Sequence, residues 1–294
     1  MITTCLNPNC LLPGKAFATE RSARRYCSST CANQDRQRRL LSSVPEINVL
    51  SCGGGVQSTA IVGLIYAGTL PRPDLLVMVD TGYEKRGTLE YVDTILRRAC
   101  AKMAIEFVML RTPNNDSVFS QSGVLLIPAY KVLPDGTVQK LPTRCSGPWK
   151  AEVIRRYLRS RGVAKARMWL GISTDEADRQ RVSKQGWVTN YYPLLDLNIS
   201  RYQCLYTIRS LGWPDPARSS CIFCPNQKDD EYELLKSEYP VDYQRVVVID
   251  NDIERRDPSL FLHRSLTRMR DIIWRCDVAG HLAAMPPVPC EICQ

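Results

Sequence analysis

Two hydrophobic periods take turns along this chain. The apolar run Ile47-Asn48-Val49-Leu50-Ser51-Cys52 stops at Gly53-Gly54-Gly55, and residues 56 to 67 then place Ile61, Leu64 and Ile65 at helical spacing before Gly68 ends the pattern. Leu75 to Val79 is an unbroken apolar run closing at Asp80-Thr81-Gly82, as expected of a strand covered on both faces. A helical pattern over Thr88 to Met103 precedes a third strand, Ile105 to Leu110. Helix resumes from about Lys150 to Arg161, Met168-Trp169-Leu170 leads to Gly171, and Ser200 with Gln203 forms a capping box for a helix ending near Leu211-Gly212. This alternation predicts an α/β fold built on a doubly wound, mostly parallel sheet, with ligands at the carboxyl ends of its strands. Residues 111 to 145, rich in turn formers, are expected to be a functional loop or flap. No internal repeat or low-complexity segment is present.

The junction after the first strand carries the clearest chemistry. Three successive residues without a Cβ let backbone N–H groups close on an anion, and the following helix aims its positive end at the same point. A lysine-bearing triphosphate loop needs Gly-Lys-Ser/Thr at its end, and Val56-Gln57-Ser58 stands there instead. A dinucleotide fingerprint needs Gly or Ala where Ser58 lies. The segment from Ser51 through Gly53, Gly54, Gly55, Gln57 and Ser58 is similar to the Gly-Gly-x-x-Ser turn of PP-loop enzymes, which hold the pyrophosphate or phosphosulfate part of an adenine nucleotide.

Composition narrows the class. The 294 residues suffice for a large core, and neither an apolar run of membrane-spanning length nor a signal-peptide layout is found, so a soluble cytoplasmic protein without membrane contact is expected. A formal charge of +9 favours anionic partners, a nucleotide, a nucleic acid or both. Thirteen cysteines in a reducing compartment point to metal rather than disulfides. Cys5 and Cys10 are separated by four residues and Cys27 and Cys31 by three, in a segment too short to bury a core, so residues 1–43 read as a zinc-binding module stapled by four thiolates. Seven Lys/Arg against Glu20 and Asp35 make that module basic, and it either contacts nucleic acid or serves only as a folded knob. The catalytic domain is then expected over 44–275, with a cysteine-containing tail over 276–294.

Two further strand ends carry polar groups. Asp80-Thr81-Gly82-Tyr83-Glu84 closes the second strand, and Gly171 through Arg179, with Glu176 between them, closes a later one. An aspartate there can accept from ribose hydroxyls or an adenine amine, and Arg179 can grip phosphate or sulfate oxygens, or pair with Asp175 on a helix surface. Together with the glycine turn, Arg144-Cys145-Ser146, Lys150 and Ser219-Ser220-Cys221-Ile222-Phe223-Cys224-Pro225, these segments resemble the phosphoadenosine-phosphosulfate (PAPS) reductase family, of the PP-loop, adenine nucleotide α-hydrolase-like fold. Phe261-Leu262-His263-Arg264-Ser265 is similar to a segment of its phage- and bacterium-borne branch. The resemblance spans roughly residues 47 to 270 and implies binding of ATP or PAPS, with chemistry that moves sulfur or cleaves at the α-phosphate. In that reading Asp80, Thr81 and Gly82 contact the nucleoside, while Lys150 and Arg179 neutralise phosphate or sulfate charge.

Cys145, Cys204, Cys221 and Cys224 can hold either zinc or a [4Fe–4S] cluster, and Cys204 replaces one of an adjacent early pair found in iron–sulfur relatives. Reduction of PAPS needs a nucleophilic thiolate, which the family carries in a Glu-Cys-Gly-Leu-His setting; here Cys290 and Cys293 in the tail offer thiols without that motif. The departure leaves three readings open: sulfur transfer or reduction, ATP-dependent thiolation of nucleic acid similar to DNA phosphorothioation or tRNA thiolation, and a non-catalytic nucleotide sensor that binds nucleic acid. Self-association into a homo-oligomer is compatible with each. A Ser-His-Asp hydrolase is not expected, since His263 and His281 are the only histidines and no Gly-x-Ser-x-Gly turn occurs.

Overall fold

The computed structural model describes residues 2–4, 16–18, 45–113, 117–120, 122–142 and 145–277. Ile2–Thr4 and Ala16–Ala18 pair as an antiparallel ribbon; Cys5, Cys10, Cys27, Cys31, Arg144, Cys290 and Cys293 lie outside the described residues. From residue 45 onward the strands are β1 Glu46–Cys52, β2 Leu75–Asp80, β3 Glu106–Arg111, β4 Tyr130–Val132, β5 Val138–Lys140, β6 Lys165–Leu170, β7 Val188–Tyr191 and β8 Leu260–Phe261. The helices are α1 Val56–Tyr66, α2 Arg86–Tyr91 continued through a π turn by Arg97–Lys102, α3 Glu152–Ser160, α4 Pro193–Asp196, α5 Arg201–Ser210, α6 Asp229–Glu238 and α7 Pro240–Arg256. Among the described residues no helix is long and apolar enough to cross a membrane.

The chain forms two compact units. The first comprises the described residues of Met1–Val79, Glu90–Leu110 and Val153–Ser219. Its five-stranded sheet has the order β3-β2-β1-β6-β7, and β1 pairs in parallel with β2 (Val49↔Leu75 to Cys52↔Met78) and with β6 (Glu46↔Lys165 to Ser51↔Leu170). Sequence order reverses between β1 and β6, which is the switch point where open α/β sheets leave a crevice at their carboxyl ends. The expected doubly wound α/β class is therefore the one the chain adopts. Val49, Leu75, Val77 and Val79 meet Ile154 and Leu158 of α3 in one core cluster. Each such side chain contributes about 1.5–3 kcal/mol by leaving water. Helix α1 is buried along nearly its whole length, Ser58 to Ile65 included, and packs against α5. Its three apolar markers therefore understate its burial.

The second unit comprises Asp80–Leu89, the described residues of Arg111–Glu152, and Ser220 onward. Here α6 and α7 accompany a small antiparallel sheet of order β8-β4-β5. Its core is aromatic: Tyr83, Trp149, Phe223, Tyr232, Tyr243 and Trp274 are all buried. The stretch expected to be a loop or flap holds the β4–β5 hairpin. Gly136, at a φ of +80°, turns it, and Asp135 Oδ1 accepts from the Thr137 backbone N–H at 2.9 Å.

Candidate functional site

The first unit builds a crevice around the glycine turn. β1 delivers Gly53, Gly54 and Gly55 to the head of α1, whose first turn has no side-chain cap and no acidic residue, and the Gly54 N–H donates to Cys52 Sγ at 3.4 Å. Gly54 has a φ of +71°, a conformation that favours glycine. The walls approach closely. A Cβ on Gly55 would stand 2.5 Å from Ser219 Oγ, and one on Gly171, at the end of β6, would stand 3.0 Å from Ser58 N and 3.2 Å from Gln57 C. A side chain at either position would require a neighbour to move. Ser58 Oγ donates to Gly55 O at 3.1 Å, which holds the turn closed beneath.

A polar group surrounds Gln57. Its Nε2 donates to Glu176 Oε2 at 3.3 Å, and its Oε1 accepts from Arg201 Nη1 at 3.1 Å. Arg179 is exposed and pairs with Glu176 at 2.7 Å, so its partner is Glu176 rather than the Asp175 considered from spacing. Asp175 instead accepts from the Arg201 backbone N–H at 2.5 Å, and that bond holds its carboxyl below the usual carboxylate range. The capping box is formed as read: Ser200 Oγ accepts from Gln203 N at 3.3 Å, and Gln203 Oε1 from Ser200 N at 2.8 Å. It sets the start of α5 and with it Arg201. Cys204, on the same helix, is fully buried, and burial pushes its thiol up to about 12.

The second unit gathers another set. Asp80 turns its carboxylate back into its own turn, accepting from Gly82 N at 2.7 Å. Lys150 Nζ lies 2.8 Å from Glu84 Oε1, and Thr81 Oγ1 donates to the same oxygen at 3.1 Å. Thr81 Oγ1 is also 3.7 Å from Cys221 Sγ, and a backbone bridge joins Glu84 to Cys221. Burial pushes the Lys150 ammonium down, but Glu84 and the nearby thiols outweigh it, so the group is held above its ordinary value. Cys221 is pushed up to about 12 by burial and then by Glu84, and Cys145 is raised by burial and by Cys224. Among the described residues no three Cys, His, Asp or Glu side chains converge as a metal site. Cys145, Cys221 and Cys224 thus share a unit without forming a ligand set, and Cys204 belongs to the other unit.

Arg201 escaped the sequence, while Ser219 and Glu84 stood in segments singled out above without their partners being foreseen. Arg201 reaches Gln57 across 144 positions, Ser219 closes on Gly55, and Glu84 is the partner of Lys150. Their signal lies in tertiary approach; only the Ser200 capping box, which fixes where α5 starts, pointed towards Arg201.

No protein-family profile and no curated protein matches the chain. Solved structures similar to it include a phosphoadenylyl-sulfate (PAPS) reductase from Candida auris in complex with phosphate, 16% identical, TM-score 0.39, over 62% of this chain and 81% of that one. A U34-tRNA thiolase from Methanococcus maripaludis with its [4Fe-4S] cluster is 17% identical, TM-score 0.40, over 97% and 95%. An NH3-dependent NAD synthetase from Campylobacter jejuni in complex with nitrate is 14% identical, TM-score 0.36, over 77% and 93%.

Proposed function

We propose that the protein is a PP-loop enzyme of the PAPS reductase-like kind, binding ATP or PAPS at the glycine turn and carrying out sulfur-transfer or reduction chemistry. The observation that carries this reading is the pair of close approaches at the switch point. Gly55 lies against Ser219 and Gly171 against Ser58 so closely that neither position takes a Cβ without a neighbour moving, which keeps the backbone of the turn bare. Gly53, Gly55 and Ser58 then supply backbone donors, Gly54 gives the turn its left-handed φ, and the uncapped head of α1 supplies a partial positive charge. Arg201 and Arg179 bring guanidinium groups to the rim, where each already shares a carboxylate or amide. Rate enhancement would come from holding the reacting phosphorus or sulfur in place and neutralising its charge.

A second reading is ATP-dependent thiolation of nucleic acid, and the exposed face of α5 favours it. Tyr202 and Tyr206 are 77% and 70% exposed, one turn apart, beside Arg201 and Arg209. Aromatic rings interleaved with guanidinium groups suit stacked bases and phosphates. One assay separates the readings: anaerobically purified protein is given ATP or PAPS together with a dithiol reductant and inorganic sulfide, with and without RNA or DNA, and sulfite, pyrophosphate and AMP are followed. Sulfite from PAPS supports reduction. Pyrophosphate or AMP that requires nucleic acid supports thiolation. Tight nucleotide binding without product supports a sensor, and absence of binding overturns the nucleotide reading altogether.

A further inference from the structure

The second unit carries a constellation that the nucleotide reading does not use. His263 is buried, and both ring nitrogens are engaged. Nδ1 lies 2.7 Å from Ser265 Oγ and accepts the Ser265 backbone N–H at 3.2 Å. An N–H pointing at Nδ1 leaves that nitrogen as the acceptor, so the proton sits on Nε2, which lies 3.1 Å from Asp229 Oδ1. The order is hydroxyl, imidazole acceptor, imidazole donor, carboxylate. Burial raises the Asp229 carboxyl, and hydrogen bonds from His263 and Arg264 more than offset this, so it stays ionised at neutral pH.

Three further features distinguish this from an ordinary turn. The imidazole is locked by aromatic neighbours, with the Trp274 ring 5.6 Å away at 82° and the Tyr232 ring 6.0 Å away at 78°. Leu266, directly after the serine, has a φ of +57°, a strained conformation for a branched side chain. Ser265 itself is exposed, and with His263, Asp229 and Trp274 it lines a cavity of about 610 Å³. Ser265 Oγ also accepts the Thr267 backbone N–H at 3.3 Å.

We propose that Ser265, His263 and Asp229 form a nucleophilic relay that accepts the acyl group of an activated carboxylic ester in this cavity. Ser265 Oγ bonds to the carbonyl carbon while its proton passes to His263 Nδ1. The bond to the leaving alcohol breaks, and the alkoxide takes that proton. Water then reverses the sequence and releases the acid, with His263 again moving the proton and Asp229 balancing the imidazolium. Two histidines in the chain argued against such a site, yet one is sufficient.

The full-length protein is incubated with p-nitrophenyl acetate and, separately, with a biotinylated fluorophosphonate, and adducts are mapped by peptide mass. In the second case the Ser265 Oγ–P bond replaces P–F and fluoride leaves with the serine proton. The adduct is expected on Ser265, absent in Ser265→Ala and unchanged in Ser237→Ala. Asp229→Asn is expected to slow labelling about 100-fold or more by setting the wrong imidazole tautomer. Because replacing His263 removes a buried ring, Ser265→Cys gives a second test on an intact core. Its thiol should react with iodoacetamide at pH 7 several times faster than free cysteine, and should lose that advantage in an Asp229→Asn background. No adduct, an adduct elsewhere, or rates indifferent to Asp229 would overturn the proposal and mark the cluster as a structural turn.

Discussion

Lys150 Nζ stands 2.8 Å from Glu84 Oε1, and the two partners are unequal: the carboxylate side chain is fully buried while the lysine is 38% exposed. Lys150→Met would strand the anion, leaving the Thr81 hydroxyl as the donor on Oε1 while Oε2 already lacks one among the described residues. A loss of about 3 kcal/mol is expected. Glu84→Gln keeps an acceptor for Thr81 and lets the ammonium turn to water, at about 1 kcal/mol. Urea unfolding of both variants checks the order, and a larger loss for the glutamine variant would contradict it.

Gly171→Ala should weaken nucleotide binding. Its Cβ would meet the backbone at Ser58 and Gln57, which must move, at a cost of about 1–3 kcal/mol. The same shift displaces the N–H groups offered to phosphate, so affinity for ATP or PAPS should fall about tenfold or more. Gly55→Ala meets a serine side chain instead, so Ser219→Gly should restore part of what it loses. Calorimetric titration of the three variants gives the answer, and unchanged binding in Gly171→Ala would remove the cradle as the ligand site.

The legible parts of this protein were those set by neighbours in sequence. β1, β2 and the turn between β1 and α1 were readable because apolar runs and glycines act locally, and the Ser200–Gln203 box because a cap spans three positions. The β4–β5 hairpin had a local signal too, in Pro134-Asp135-Gly136, that was absorbed into an expected flap. Other features had no local trace. Lys150 finds Glu84, Arg201 finds Gln57 and His263 finds Asp229 only once distant segments are packed. The edge strand β7 is short and half-buried, with no apolar run to announce it.

Alkaline pH should destabilise the first unit. Burial pushes the thiols of Cys100 and Cys204 up from 9.0 to about 12. The folded state therefore binds more protons than the unfolded chain between these values. The stability so contributed is complete below pH 9 and is lost as pH rises towards 12. Thermal midpoints should be flat from pH 7 to 8.5 and fall above 9, less steeply in Cys204→Ala. Both thiols should resist Ellman's reagent at pH 8 until the protein unfolds.

If α5 stacks bases, Tyr202→Ala and Tyr206→Ala should each cost about 1–3 kcal/mol in affinity for a single-stranded oligonucleotide. Nucleotide binding at the glycine turn should be unaffected. Equal oligonucleotide retention by the double variant and the parent would rule out α5 as the stacking surface.

The interleaving of the two units bears on how the chain is made. A ribosome releases β1 more than a hundred residues ahead of β6, its neighbour on one side. During synthesis the central strand therefore waits with an unpaired row of amides and carbonyls, a template for any other nascent chain. Neither unit can be excised as one continuous fragment, and low temperature or a chaperone should raise the yield of native protein.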